Sequence, residues 1–471
     1  MHHFLGLSEL EAKLKRETPV SYEPTRLINS HMLVCGMSGT GKSFQCKRFL
    51  DSAAASGIEV DIFDVHEELE GVAGARAVKY SQATGFGYNP LVLSTDRHTG
   101  GVNRQIDILV GMIQDVGALG IKQQGVLRNL LLDTYAASGI FPDQPLTWSR
   151  KQISEKERSM LIAQGNFSAL RQYYPTLEDL RSFAMRKIKA LTIGGDDKAV
   201  AAYEEVVKAS KALEAMNKKF AKAADETVQQ TMAAKVETLK GKAVEAYQTF
   251  ITSMRTGREL EDILKYDSVE VLSSLIGRID ILSSTGTFRA NEPPFGGAHV
   301  RVHQIKALSA EQQVLFVKLR LREIFERRKQ EGPTRLGTEL RHVIFLDEAH
   351  KYFNSKPDDI VNVIAKEARK FGIGLWCASQ QPTEFPESFL TNCGATILLG
   401  IHSAFWARTS KMLRISEDQL RMITPKRMMA IKIMEEGKAD PPFQNVFVPS
   451  PTGAFYNQRA LALEKKYANA A

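Results

Sequence analysis

The chain has 471 residues, 43% of them hydrophobic and 25% charged, which suits a soluble globular protein of two or three domains with a sizeable core. No apolar run approaches the roughly 18 residues a membrane helix needs, and no apolar segment of the secretory type opens the chain, so neither an integral membrane protein nor an exported one is expected. The formal charge of +8 (62 basic against 54 acidic residues) is compatible with a polyanionic partner without demonstrating one. Cys35, Cys46, Cys377 and Cys393 form no Cys-x-x-Cys pair, so buried reduced thiols in a cytoplasmic protein are expected rather than a disulfide framework or a zinc site.

Residues 8–17 are a short charged helix candidate ending near Pro19, within a lead-in that occupies 1–30. The apolar run Met32 to Cys35 then predicts a buried strand. It breaks into Gly36-Met37-Ser38-Gly39-Thr40-Gly41-Lys42-Ser43, the Gly-x4-Gly-Lys-Ser spacing of a P-loop, and Lys42 to Ser56 reads as the helix behind it. Glycines let backbone N–H groups close around phosphate oxygens, and the helix N-terminus adds partial positive charge. Gly36, Ser38, Gly39, Thr40, Gly41, Lys42, Ser43 and Phe44 are therefore the nucleotide-binding candidates, with Lys42 on the β/γ-phosphates and the Ser43 hydroxyl on Mg²⁺.

Ile58 to Phe63 predicts a second strand, running into Asp64-Val65-His66-Glu67-Glu68. That acidic cluster stands where parallel sheets bind ligands, and a solvated loop with a helix cap is the plainer alternative. A third strand, Arg76 to Tyr80, precedes a turn at Tyr88-Asn89-Pro90-Leu91. From Arg104 the periodicity is helical, and Thr176 with Asp179 three residues on marks a helix start. Residues 203–254 are strongly helix-prone, and eight lysines against seven acidic residues between 201 and 250 read as a balanced, solvated helical hairpin or coiled coil rather than a DNA-binding stripe.

His299 to Ile305 alternates as a strand, and Ser309 caps a basic helix over Glu311 to Gln330. His342 to Leu346 then reads as a buried central strand that delivers Asp347 and Glu348 at its carboxyl end. In a nucleoside triphosphatase, Asp347 would hold the Mg²⁺ shell and Glu348 would orient and deprotonate the attacking water. Pro357 opens a helix predicted to run to Phe371, stopped by Gly372. Ile373 to Ser379 is the next strand. Gln380 at its end is either a reporter of the γ-phosphate or simply a residue of the turn before Pro382. Ala395 to Ile401 and Met428 to Met434 are further strands, and a short helix is possible around Arg459 to Lys466.

In this order the motifs resemble the HerA/FtsK superfamily of RecA-like P-loop ATPases, the HerA branch most nearly. Gly36 to Ser43 matches its Walker A element and Phe345-Leu346-Asp347-Glu348-Ala349-His350 its Walker B. Asp64-Val65-His66-Glu67-Glu68 is similar to the family's Asp-Pro-His-Gly-Glu, although Val65 and Glu67 depart from it. Asn89-Pro90-Leu91 resembles its Asn-Pro-Leu, and Lys366 to Gly374 with Ser379-Gln380-Gln381-Pro382 its Glu-Gly-Arg-Lys stretch and sensor Gln. The likeness covers about residues 28–100 and 270–450.

The resemblance implies an α/β fold: a RecA-like P-loop core with a mostly parallel sheet and a large inserted helical domain. The core would occupy 31–103 and 291–450, the inserted bundle or arm 104–290 and a tail 451–471. It further implies a homo-hexameric ring with ATP and Mg²⁺ at subunit interfaces, Arg369 as a trans-acting arginine finger, and Asp64 and Glu68 near the metal. Without the family, Arg369 reads equally as an ordinary surface charge. HerA proteins usually carry an N-terminal β-barrel, whereas about thirty residues precede the Walker A strand here, so the helical arm at 151–265 is expected to supply a substitute contact surface. The expected function is an ATP-hydrolysing ring motor that translocates or unwinds double-stranded DNA. A conjugation or type IV secretion ATPase, and an ATPase scaffold for a partner nuclease in a defence complex, are the alternatives.

Overall fold

The computed structural model describes residues 1–116, 119–193, 197–221, 226–253, 262, 264–284, 286–335, 339–448, 462 and 466. The candidate helix at 459–466 and the tail from 451 thus lie outside the described residues, apart from those last two positions. The chain forms two compact units, Met1–Gly87 with Glu292–Ala471, and Tyr88–Asn291.

The first unit is built on one sheet. Its strands are β1 (His3–Ser8), β2 (Pro19–Tyr22), β3 (Met32–Cys35), β4 (Glu59–Asp64), β5 (Ala75–Lys79), β6 (Val300–Gln304), β7 (His342–Leu346), β8 (Ile373–Ser379), β9 (Ala395–Leu398), β10 (Met428–Ile433) and β11 (Gln444–Phe447). Among the described residues their order is β2-β1-β11-β10-β9-β3-β8-β7-β4-β6-β5. From β9 to β5 every neighbouring pair is parallel, while β10, β11, β1 and β2 extend the sheet antiparallel. β3, β7 and β8 are buried at every position, which is why they appear in the sequence as unbroken apolar runs.

Two expectations change here. The predicted helix over 8–17 is a single turn, Glu9–Lys13, between β1 and β2, so the lead-in is mainly a β-hairpin on the sheet edge. Its strands are short, and Glu9, Glu11 and Lys13 between them mimic a helical charge pattern. The helix expected from Pro357 starts instead at Ile360, where the Asp359 carboxylate accepts the Val361 N–H, and its last turn tightens to a 3₁₀ turn at Ala368–Phe371 before Gly372 at φ +73°. The Ala310–Gln330 helix carries the expected Ser309 cap, reciprocated by Gln312.

One face of the sheet packs on the Lys42–Ala55 helix, where Phe49, Leu50 and Ala53 meet Val60, Ile62, Val343 and Trp376 in the main core. On β4, the alternate residues Asp61 and Phe63 face the other way, and Phe63 meets Phe316 of the Ala310–Gln330 helix. Asp61 is fully buried there, with one oxygen 2.7 Å from His303 Nε2, the other 2.9 Å from His342 Nε2, and the Arg301 guanidinium on both. Lys318, Arg320 and Arg328 of that basic helix are buried too, Lys318 on Asp359 and Arg328 on Glu59, so these three charges serve the interior.

The second unit is helical, with helices at Val102–Val116, Ile121–Ala137, Leu177–Ile193, Asp197–Phe220, Glu226–Ser253 and Val269–Ser284 among its longest. Thr176 and Asp179 cap one another at the expected start. Asp197–Phe220 and Glu226–Ser253 form the expected hairpin, closed at its base by the Tyr203 and Phe250 rings 5.6 Å apart. Asn89 makes the expected turn, accepting the Leu91 N–H and donating to the Pro175 carbonyl. Among the described residues no helix is long and apolar enough to cross a membrane.

Candidate nucleotide site

β3 ends at Cys35 and the chain turns over the carboxyl ends of its neighbours: the Gly36 N–H donates to the Ser379 carbonyl of β8, and the Met37 N–H to the Gly400 carbonyl after β9. The loop is held from within by the Thr40 hydroxyl, 2.7 Å from the Met37 carbonyl. Gly39 and Gly41 sit at φ +80° and +95°, a region that costs a Cβ-bearing residue strain, so glycine is required at both. Gly36 meets a different need, since a Cβ there would fall 2.5 Å from Thr40 Oγ1. Ser38 and Gly39 are exposed at the loop tip, and Lys42, Ser43 and Phe44, half-buried, form the first turn of the Lys42–Ala55 helix. The N–H groups of that turn have no intrahelical acceptor and face an anion-binding position.

The carboxylates come from β7, two strands away across β8. Lys42 Nζ lies 3.2 Å from Glu348 Oε1, a pair only 14% and 8% exposed. Glu348 itself takes a left-handed conformation, φ +47° and ψ +46°, unusual for a non-glycine residue and a mark of strain held by its surroundings. Burial alone would raise its carboxyl, but the Lys42 ammonium, their hydrogen bond, and the His350 and His66 rings outweigh it and hold the group below the usual range. Asp347 behaves oppositely: burial pushes it up to about 6 despite Lys42 and His66, with Glu348 and Asp64 adding repulsion. The two adjacent carboxylates are thus electrostatically distinct.

Asp64 is engaged by the backbone of its own loop. Its fully buried carboxylate accepts the N–H groups of His66 and Glu67 on one oxygen and of Leu69 on the other, so most of its accepting capacity holds the loop. The turn it fixes presents Glu68 instead, whose Oε2 takes the Ser43 hydroxyl at 2.5 Å, and His66, whose Nε2 is 3.7 Å from Glu348 Oε1 and 3.9 Å from Asp347 Oδ2.

Beyond Glu348 a polar chain leads to the end of β8. His350 Nδ1 is 3.5 Å from Glu348 Oε2 and 2.9 Å from Ser379 Oγ. The Ser379 hydroxyl donates to Glu384 Oε2 at 2.7 Å, and the Gln381 amide reaches Glu384 at 3.1 Å. Gln380 is exposed beside the P-loop and has no hydrogen-bond partner among the described residues. His350 belongs to the Phe345–His350 motif, whereas Ser379 and Glu384 are joined to it only by the fold, so no local sequence signal marks them. Arg369 precedes β8 and so lies at the amino ends of the strands, about 20 Å by strand rise from the P-loop of its own chain, with Nη2 3.6 Å from Glu436 Oε1.

The family described as "Helicase HerA, central domain" matches residues 12–324, more than half of the chain. The chain belongs to the HerA helicase family. "Helicase HerA-like C-terminal" matches residues 316–439, so the two matches together span both parts of the site. A HerA-family protein with this P-loop and Asp-Glu pair is an ATP-binding P-loop ATPase. Among solved structures, VirB4 of Thermoanaerobacter pseudethanolicus is similar over 97% of this chain and 98% of its own, with 14% identity and a TM-score of 0.59. The bacterial conjugative coupling protein TrwBΔN70 aligns over 95% and 93%, with 11% identity and a TM-score of 0.43. At such identities the likeness to VirB4 bears on the fold alone. No curated protein matches the chain.

Proposed function

We propose that this HerA-family ATPase is a ring motor, assembled as a homo-hexamer in the cytoplasm, that moves double-stranded DNA at the expense of ATP. The observation that carries the chemistry is the Lys42–Glu348 pair, 3.2 Å apart between the phosphate loop and the Asp-Glu strand end. A γ-phosphate entering there takes Lys42 as its counter-charge and leaves Glu348 free to receive a proton from the attacking water. The lowered pKa of Glu348 keeps it ionised, ready to accept that proton. His350 and the Ser379–Glu384 pair behind it fix its direction, and Gln380, exposed just after β8, would report the γ-phosphate. The all-oxygen set of the Ser43 hydroxyl, Asp347 and Glu68 suits a hard divalent cation, and the buried Asp347 carboxyl, with the His66 ring 3.9 Å away and Lys42 nearby, is still pushed up by burial, a cost that a bound cation would offset. Magnesium bound there would neutralise charge on the transferred phosphoryl group.

Arg369 cannot reach the P-loop of its own chain, so a catalytic part for it needs a neighbouring subunit, which supports a ring. The helical segment at 104–290, an inserted domain in this reading, offers contact surface for assembly or partners, an effector nuclease among them. DNA contacts would be directed at phosphates and fade with salt. A secretion ATPase would share the fold seen in VirB4, and membrane association without DNA stimulation would favour it. The deciding experiment is ATP hydrolysis with and without linear double-stranded DNA over a salt series, with Lys42→Ala as blank. Stimulation that fades with salt supports the motor, and equal turnover rejects it.

A further inference from the structure

We propose that Lys426 is a second cation of the nucleotide site, contacting the α/β-phosphate end of a nucleoside di- or triphosphate. This rests on the P-loop binding nucleotide as described above. Lys426 lies in the turn Thr424-Pro425-Lys426-Arg427, which leads into β10 and is closed by the Arg427 and Met428 N–H groups on the Thr424 carbonyl, at 3.0 and 2.9 Å. Its φ is +63°, the left-handed region in which glycine or asparagine is easily accommodated and a lysine is held under strain. The turn rests on the phosphate loop. A Cβ built on Gly41 would lie 3.6 Å from Lys426 Cγ, and one on Gly400 would lie 3.0 Å from Thr40 Cγ2 and 3.9 Å from Pro425 Cγ. From Cγ the ammonium reaches roughly 4 Å further along a flexible stem, enough to arrive over the loop. Half-buried, it makes no ion pair or hydrogen bond among the described residues.

Sheet order sets which part of the ligand it meets. Asp347 and Glu348 approach β3 from the β8–β7 side, whereas the Lys426 turn approaches from the β9–β10 side. Lys42 and Glu348 take the terminal phosphate, so Lys426 faces the phosphates nearer the nucleoside, which ADP and ATP share. Its contribution is uniform binding: removing it weakens both nucleotides and raises KM while kcat stays.

The test is titration of the full-length protein with ADP, and with ATP in a Glu348→Gln background, comparing Lys426→Ala, Lys426→Gly and Lys426→Arg with Lys42→Ala. Loss of a charge-assisted contact predicts about tenfold weaker binding of both nucleotides for the Ala and Gly variants and near-normal binding for Arg. Lys426→Gly separates charge from strain, because glycine relieves the left-handed backbone and its melting temperature should equal or exceed that of the unsubstituted protein. If Lys426→Gly binds ADP within about twofold of the unsubstituted protein, the proposal is overturned. Failure of the unsubstituted protein to bind either nucleotide, or unaltered binding by Lys42→Ala, would instead overturn the site reading on which it rests.

Discussion

At the scale of single residues, the informative contrast is between Asp347 and Glu348, neighbours in sequence with opposite shifts. Both are buried, and at Asp347 burial dominates. Glu348 is turned by its left-handed backbone toward Lys42 and two imidazoles. With proton acceptance by Glu348, as proposed, that division predicts the phenotype of Glu348→Gln. The variant keeps the shape of the site but cannot take a proton, so turnover should fall about 10²–10⁴-fold. ATP binding should persist or tighten, since Lys42 loses its intramolecular partner and a negative charge leaves the γ-phosphate position. Lys42→Ala should lose binding itself. Single-turnover hydrolysis beside nucleotide titration checks both, and a Glu348→Gln enzyme with ordinary turnover would remove Glu348 from the chemistry. The acidic loop shows where residue-level reading runs out. The sequence displays Asp64, Glu67 and Glu68 as equals, and only the backbone turn decides that Asp64 points inward to three N–H groups while Glu68 meets Ser43.

At the scale of elements, the strands that are legible are those with nothing to alternate: β3, β7 and β8, buried on both faces, announce themselves as apolar runs. The edge hairpin β1–β2 was hidden because its pairing is with β11, more than 400 residues away in sequence, and leaves no local pattern. The Asp61 network was equally invisible, since its members stand singly in β4, β6 and β7 and meet only across the sheet. Burial pushes the His303 and His342 imidazoles below their ordinary value against the pull of Asp61, and burial drives His31 down to about 4. The unfolded chain therefore takes up protons on these rings from about pH 6.5 downward, and the folded chain only at lower pH. Asp61, held well below its usual value by its imidazole partners despite burial, contributes stability that is lost only at lower pH still. The unfolding temperature should thus fall as pH drops from 7 to 5, and His342→Gln should flatten the slope. A slope unchanged by that substitution would show that the ring titrates alike in both states. Tight backbone contact gives a second element-level expectation. A Cβ on Gly394 would fall 1.7 Å from the Asn29 carbonyl oxygen, next to the start of β9, so Gly394→Ala should destabilise by about 2 kcal/mol or more, read from denaturant unfolding.

At the scale of the whole molecule, the proposed ring turns on one residue. Arg369 is half-exposed, lightly tied to Glu436, and fixed by the 3₁₀ turn before Gly372 at the amino ends of the strands, remote from its own P-loop. As a plain surface charge its removal would cost almost nothing, because an exposed ion pair is worth at most about 1 kcal/mol. As a finger in a neighbour's site it would stabilise charge on the transferred phosphoryl, worth about 10³–10⁵ in rate. The two readings differ by orders of magnitude, and subunit mixing separates them further. Arg369→Ala and Lys42→Ala proteins should each be inactive alone. Mixed, they should regain part of the ATPase activity, because some interfaces then pair an intact P-loop with an intact arginine. The same mixture should show DNA stimulation in proportion to the restored turnover if hydrolysis and DNA movement belong to one ring. Full activity of Arg369→Ala alone would make the residue a surface charge, and inactivity of both with no recovery on mixing would place its effect within one chain.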